Sequence, residues 1–148
     1  MTPTQILILL LARTCIAEIG FQGTNQECVL MWQINQRRAE EKNWTLKQQT
    51  LNYNQYWTTP SHRKARPWIA NLEGKNKPPG WPRNLKWKRH VKKWLEIKKA
   101  AKQFVAGHCK KICLKAIDYG APYDIPPAGR ARIRCLGGKT MQRYYREI

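Results

Sequence analysis

The clearest pattern of apolar and polar positions lies in the second half of the chain, over about 84–119. Basic side chains fill most of the gaps between apolar residues that recur at steps of three and four: Val91, Trp94, Leu95, Ala101, Phe104, Val105, Cys109, Ile112, Cys113 and Ala116. This is the period of an α-helix with one apolar stripe. It predicts one long basic amphipathic helix, ended by Gly120, which Ala106 and Gly107 could bend or divide in two.

Shorter patterns predict the remaining elements. Residues 26–50 fit a helix, or a strand followed by a helix, and the alternation over 52–57 predicts a short strand. Residues 130–135 alternate arginines with apolar side chains, as in a strand with a basic face. The tail over 141–148 predicts a short strand or disorder. The expected fold class is therefore α+β, mainly α-helical, with Pro-rich loops.

Composition shifts divide the chain into four segments. They are an apolar leader or signal-like segment at 1–17, a Trp-rich region at 18–75, a Pro-rich linker at 76–83, and the basic helix with the carboxy-terminal region at 84–148. Prolines in the linker offer no backbone donor for regular structure. We expect the Trp-rich region and the last segment to form one domain.

The apolar amino terminus allows two interpretations. The small residues Cys15 and Ala17 suit signal-peptide cleavage after Ala17, although no basic residue precedes the apolar run. Alternatively, a buried helix begins at Thr2-Pro3, since proline fits the first helical turn. We favour an intracellular location unless residues 1–17 act as a signal peptide. In a secreted chain, Asn43 of Asn-Trp-Thr becomes a glycosylation site.

Charge points to an anionic partner. The chain has 28 Lys and Arg against 9 Asp and Glu, a net charge of +19. Residues 63–115 carry 17 of those bases and only two of the acids. Self-repulsion among so many cations opposes folding unless a polyanion or counterions neutralise them. An acidic protein or an anionic membrane surface would meet the same need.

Tryptophan makes nucleic acid the first candidate. All seven tryptophans lie between positions 32 and 94, so the last four interleave with the basic segment. Indoles stack on bases while lysines and arginines neutralise phosphates. A purely structural role for the indoles, as core of a chain with only two Phe, remains the alternative.

Little in the sequence indicates catalysis. The chain has a single serine, Ser61, and its neighbour His62 is badly placed to act as its base. Glu40 and Glu41 form the closest pair of acids, next to Arg37 and Arg38, where a solvated ion-paired helix surface is the simpler interpretation. We therefore expect no enzymatic activity.

The cysteines leave three alternatives open. His108, Cys109, Cys113 and Cys135 are donors that four-coordinate zinc accepts, although their spacing is not that of a common zinc finger. If residues 1–17 are removed, four cysteines remain, which permits two disulfides. Buried or free thiols are the third alternative. No other cofactor is indicated.

Several fragments resemble lentiviral accessory proteins of the viral infectivity factor type. They are Arg-Asn-Leu-Lys-Trp at 83–87, the donors His108, Cys113 and Cys135, and Lys-Thr-Met-Gln-Arg at 139–143. The resemblance implies a Trp-rich, basic, RNA-binding protein that recruits a ubiquitin ligase and holds zinc. Here no histidine follows Cys135.

A second set of fragments resembles the large-subunit ribosomal protein of the exit tunnel. It comprises Arg-Lys-Ala-Arg at 63–66, Lys-Lys-Ala-Ala-Lys at 98–102 and Gly-Arg-Ala-Arg at 129–132. This resemblance also implies RNA binding.

We therefore expect a non-enzymatic nucleic-acid-binding protein, with RNA the favoured partner, that is a viral accessory protein or a ribonucleoprotein component. The alternative is a secreted or lumenal protein, stapled by disulfides, that binds polyanions or an acidic protein. Trp81 and Trp87 are the predicted stacking residues. The predicted phosphate contacts are Arg63, Lys64, Arg66, Arg83, Lys86, Lys88, Arg89, Lys92 and Lys93. The sequence leaves the oligomeric state open.

Overall fold

The computed structural model describes the backbone of residues 1–58 and 66–148, and it describes side chains outside 55–65. The described elements are α1 (Pro3–Ile19), α2 (Asn25–Glu41), α3 (Leu46–Thr58), a 3-10 turn (Pro67–Asn71), α4 (Trp87–Val105), β1 (Asp118–Gly120), β2 (Arg130–Ile133) and β3 (Arg143–Glu147). The fold class is α+β and mainly helical, as predicted.

The apolar amino terminus forms α1, the central helix of the core. Thr2 caps it, exchanging hydrogen bonds with Gln5, and Pro3 occupies the first turn. The second half of α1 is almost entirely buried against α3, α4 and α2. No helix in the described part of the chain is long and apolar enough to cross a bilayer. The segment set apart by sequence as a leader is thus core in this structure.

A disulfide and a buried indole join α1 to α2. Cys15 is bonded to Cys28, and both are fully buried. The Trp32 indole N–H donates to the Leu11 carbonyl oxygen at 2.8 Å. These contacts fix the two helices side by side. Of the two predictions for 26–50, the helix is correct for the first part of that range.

The predicted helix over 84–119 is too long. The observed helix, α4, begins at Trp87 and ends at Val105. Gly107 follows with φ of 79°, a left-handed conformation that ends helices. The next residues are irregular because side chains of α2 take over their hydrogen bonds. The Gln33 amide donates to the Lys110 carbonyl at 2.7 Å and accepts from the Ile112 N–H at 2.9 Å.

The predicted strand at 52–57 is also wrong, because α3 spans these residues. Thr45 and Gln48 exchange side-chain hydrogen bonds with each other's backbone N–H, a capping box that starts the helix. Further along α3, the Asn54 amide donates to the Leu10 carbonyl oxygen at 3.1 Å and the Thr14 hydroxyl at 2.8 Å. Tertiary contact with α1 therefore reinforces the helix.

The three strands form one antiparallel sheet in the order β1-β3-β2. Tyr119 of β1 lies opposite Tyr144 of β3, and Arg132 of β2 lies opposite Tyr145. The strand predicted from alternating arginines is confirmed as β2, and the tail forms β3 rather than a disordered end. Glu27 of α2 joins the helices to β3, because its buried carboxylate accepts three hydrogen bonds from residues 141–144.

Candidate anion-binding surface and polar cleft

Helix α4 presents a row of cations to solvent. We call this row the basic face; its members are exposed and comprise Lys88, Arg89, Lys92, Lys99 and Lys102. Trp94, Ile97, Ala100 and Ala101 on the other side are buried in the core. A helix of 19 residues is about 28 Å long. The basic face therefore matches a long anionic polymer better than a small anion.

The start of α4 adds further positive charge to the basic face. Arg83 and Lys86 are exposed in the loop that leads into the helix. The first turn contains no acidic residue, and no side chain caps its backbone N–H groups. Since cations at a helix N-terminus are unfavourable and anions are favourable there, a bound anion would stabilise this end of α4.

Two predicted phosphate contacts are engaged inside the protein instead. Lys93 is half-buried and its ammonium donates to the Asn25 side-chain oxygen at 3.1 Å. Arg66 donates to the Ala17 carbonyl oxygen. Burial lowers the pKa of the Arg66 guanidinium, and the nearby Glu18 acts in the opposite direction. Arg63 and Lys64, the other two predicted contacts outside α4 and its loop, lie outside the described residues.

The predicted stacking residues sit in an aromatic cluster of Phe21, Trp68, Trp81, Trp87 and His90. The Trp81 ring is at its centre, 4.8 Å from both neighbouring indoles and 9% exposed. Its N–H donates to the Leu85 carbonyl at 2.6 Å. Trp81 therefore has no free ring face for a base, whereas Trp87 is half-buried at the edge of the cluster.

The candidate zinc ligands are in different chemical states. Cys113 and Cys135 form a disulfide, and Cys109 is a half-buried free thiol next to the exposed His108. Burial raises the pKa of the Cys109 thiol, so the thiolate that zinc requires is disfavoured. Among the described residues no three His, Cys, Asp or Glu side chains cluster as a metal site needs. A zinc site would require the reduced form of the chain.

Asn43 lies exposed in the turn after α2, where a glycan would meet no steric barrier from the core. The neighbouring Trp44 is 41% exposed, and the Lys42 ammonium lies 4.7 Å from its ring centre.

A polar cleft of about 420 Å³ lies between the end of α1 and the sheet. It is lined by ionisable and hydrogen-bonding side chains that include Glu18, Arg38, Arg66, Tyr123, Asp124 and Gln142. We call this cavity the polar cleft. A concave site with convergent titratable groups is the usual form of a catalytic or ligand-binding site.

One wall of the polar cleft is a fixed charge network. Arg38 forms an ion pair with Asp118 and donates to the Tyr53 hydroxyl. Its guanidinium carbon also lies 5.3 Å from the centre of the Tyr119 ring. Burial raises the pKa of the Tyr119 hydroxyl well above its usual value. Asp118 is paired with Arg38 and is not among the residues that line the cavity.

No local pattern in the sequence predicts the polar cleft. Glu18 lies in the last turn of the apolar helix α1, Asp124 lies in a Pro-rich loop, and Gln142 precedes the last strand. Only the packing of the sheet on α1 and α2 brings these residues to one cavity.

No protein-family model, curated protein or solved structure matches the chain.

Proposed function

We propose that this chain binds an anionic polymer through the basic face of α4, and that an anionic polysaccharide in an oxidising compartment is its principal partner. The observation that carries the proposal is a row of five exposed cations along a helix whose other side is anchored in the core of a chain with two disulfides.

Two features favour a polysaccharide over nucleic acid. Disulfides persist mainly in oxidising compartments outside the cytosol. Free nucleic acid is an uncommon ligand in those compartments. The indoles of the basic segment that could stack on bases are largely engaged in the core, since Trp68 and Trp81 are 9% exposed and Trp94 is fully buried. Binding should therefore be mainly electrostatic.

RNA remains the second candidate because of one specific observation. Trp87 is half-buried at the start of α4, beside the exposed Lys86 and Lys88. An indole flanked by cations is the arrangement on which a single base can stack while its phosphates are neutralised.

A salt titration tests the surface. Fluorescein-labelled hyaluronan and a labelled single-stranded RNA are the two probes, and anisotropy reports binding. The variant K88Q/R89Q/K92Q removes three charges from the basic face. The matched control K110Q/K111Q/K115Q removes three exposed charges from the loop after α4.

We expect the first variant to weaken hyaluronan binding and to make log K depend less steeply on log salt than in the wild-type chain, with a much smaller change for the control. Equal slopes for the two variants would refute the assignment of the surface. Tighter binding of RNA than of hyaluronan at the same salt concentration, with loss of RNA binding in W87A, would establish the second candidate instead.

A further inference from the structure

A second concentration of positive charge lies in a concave part of the surface, where β2 leads through a loop into β3. The cavity there has a volume of about 730 Å³, a size that suits a small molecule. Cations line it, and none of the described residues that line it is acidic. We call this cavity the arginine pocket; its cations are Arg132, Arg134, Lys139 and Arg143.

The strand register brings three of these cations close together. Arg132 of β2 lies opposite Tyr145 of β3, and Arg143 precedes Tyr145 by two residues on the same strand. Arg132 and Arg143 are thus diagonal neighbours across the strand pair, about 7 to 8 Å apart at the backbone. Arg134 follows Arg132 by two residues and lines the same cavity. Side chains as long as these can all reach one small anion between them.

The cations of the arginine pocket have no anionic partner in the described part of the chain. None of them forms an ion pair or donates a side-chain hydrogen bond there. The acids of the sheet are engaged elsewhere, because Asp118 pairs with Arg38 and Glu147 lies opposite Arg130. The Glu27 carboxylate is buried and already accepts from three donors. Since like charges on neighbouring strands repel each other, a bound anion would stabilise this part of the fold.

Both ends of the loop that forms the arginine pocket are held in place. Cys135 lies in its wall and is bonded to Cys113. At the other end of the loop, Glu27 accepts from the backbone N–H groups of Met141 and Gln142 at 2.9 and 3.0 Å. A pocket that is already formed loses less conformational entropy when a ligand binds.

The loop also offers backbone donors. Gly138 lines the pocket with φ of 88°, a left-handed conformation that favours glycine. A Cβ atom at Gly138 would meet no atom within 4 Å, so the backbone is open on that side. The N–H groups of residues 137–140 donate to no acceptor in the described part of the chain. Free backbone N–H groups beside cations are a common means of binding phosphate oxygens.

The chemistry of the lining favours phosphate. The guanidinium group of arginine presents a planar fork of donors that matches pairs of phosphate oxygens. A phosphate ester has three acceptor oxygens and a charge of about −1.5 to −2 near neutral pH. Two phosphate groups therefore carry nearly the charge that balances the four cations. We propose that the arginine pocket binds a small molecule that carries two phosphate groups.

The remaining lining suits a small ligand better than a polymer. Pro122, Ile133 and Leu136 line the pocket beside the cations and would contact the organic part of such a molecule. A concave site with apolar walls and a few charged groups is typical of small-molecule binding. The basic face of α4 is instead the exposed side of a helix and shares no residue with the pocket. The assignment of the pocket does not rest on the proposed function.

Isothermal titration calorimetry on the full chain, with both disulfides intact, tests the pocket. The probes are inorganic pyrophosphate and adenosine diphosphate, which carry two phosphate groups from different sources. Orthophosphate, citrate and adenosine are the controls for one phosphate group, for carboxylates and for the uncharged nucleoside. The pocket variant is R132Q/R134Q/R143Q. The matched control K47Q/K75Q/K77Q removes three exposed charges elsewhere on the surface.

We expect both probes to bind, with orthophosphate and citrate at least about 10-fold weaker. The dissociation constants should rise about 100-fold or more in the pocket variant, because charge-assisted hydrogen bonds are lost, and by less than about threefold in the control. Tighter binding of adenosine diphosphate than of pyrophosphate would support a nucleotide, and the reverse would support the inorganic ion. Absence of binding by both probes, or an equal loss in the two variants, would overturn the proposal.

Two further measurements separate recognition from charge and from folding. R132K/R143K keeps both charges but removes the planar forks, and we expect binding about 10-fold weaker. Unchanged affinity in this variant would overturn the assignment of specific phosphate contacts. Without ligand and at low salt, the pocket variant should melt at or above the wild-type temperature, because repulsion is removed. A lower melting temperature would show that the arginines support the fold instead.

Folding of each variant is verified by far-ultraviolet circular dichroism. If the half-buried Arg143 cannot be replaced, R132Q/R134Q decides the outcome, because both of these side chains are exposed.

The two proposals fail separately. Loss of probe binding in K88Q/R89Q/K92Q, with binding retained in the pocket variant, would place the phosphates on the basic face and overturn the pocket. Hyaluronan binding that is unchanged in K88Q/R89Q/K92Q would refute the proposed function, and binding of the probes in the pocket would stand.

Discussion

The Glu27 carboxylate accepts a hydrogen bond of 2.6 Å from the Tyr144 hydroxyl, and this contact joins α2 to the last strand. The same carboxylate accepts from the backbone N–H groups of Met141 and Gln142 at 2.9 and 3.0 Å. Glu27 is 1% exposed. A single buried carboxylate thus organises the approach to β3 and, through Gln142, one side of the polar cleft.

Replacement of Glu27 should therefore be severe. Glu27→Ala leaves two backbone donors and one hydroxyl without their acceptor, and each buried unsatisfied group costs about 1 to 3 kcal/mol. We expect the free energy of unfolding to fall by at least about 3 kcal/mol, measured by urea denaturation. Glu40→Ala on the exposed side of α2 is the control, with a change within about 0.5 kcal/mol. A mild effect of Glu27→Ala would show that the donors find other partners.

Alkaline pH should weaken the fold through the buried tyrosines. Burial raises the pKa of both Tyr119 and Tyr144, and the hydrogen bond to Glu27 raises the pKa of Tyr144 further. Below about pH 10 both hydroxyls are protonated in the folded and unfolded chains, so stability is unaffected by their ionisation. Above it the unfolded chain loses these protons and the folded chain keeps them. Stability therefore falls as pH rises.

Urea denaturation between about pH 8 and about pH 11 measures this loss, which reaches about 1.4 kcal/mol per pH unit for each such group. Tyr144→Phe should unfold more easily at neutral pH but with a shallower dependence on alkaline pH. Tyr123→Phe, which changes a ring that is 76% exposed, should keep the wild-type dependence. An unchanged slope in Tyr144→Phe would contradict the role given to this hydroxyl.

Local sequence signals predicted the parts of the fold that local contacts determine. Thr2 and Pro3 start α1 by capping and by a fixed φ, and alternating arginines mark β2. The helix beyond Val105 could not be ruled out locally, since apolar residues at helical spacing continue to Ala116. Distant partners decide that segment, namely Gln33 and the disulfide from Cys113.

The candidate site likewise has features that could be predicted from the sequence and features that could not. The basic face could be predicted, because charge and helical period are both visible in a short stretch. The exclusion of Trp81 and Lys93 could not, since it depends on which side of α4 and its loop faces the core. The polar cleft was missed because its lining comes from distant parts of the chain, such as Glu18 in α1 and Asp124 after β1, which line one cavity only in the folded chain.

The amino-terminal segment should be indispensable for folding. Deletion of residues 1–17 would remove Cys15 and with it the disulfide to Cys28, as well as most of the buried side chains of α1. Each buried leucine or isoleucine contributes about 2 to 5 kcal/mol relative to alanine, so the total exceeds the stability of a domain of this size. We expect the truncated chain to lack a cooperative thermal transition. A truncated chain that melts cooperatively would place the core elsewhere and would favour a cleaved signal peptide.

The two disulfides should differ in their rate of reduction, because they differ in burial. Cys15 and Cys28 are both fully buried, whereas Cys113 and Cys135 are half-buried in loops beside the sheet. Thiol–disulfide exchange requires access of a thiolate to sulfur, so dithiothreitol should open the Cys113–Cys135 bond first. Timed alkylation followed by peptide mass spectrometry measures the order. Cys109 provides the internal reference, since burial raises the pKa of its thiol and its labelling should increase with pH before any reductant is added. Reduction of Cys15–Cys28 first, or of both bonds together, would mean that α1 and α2 separate before the loop opens.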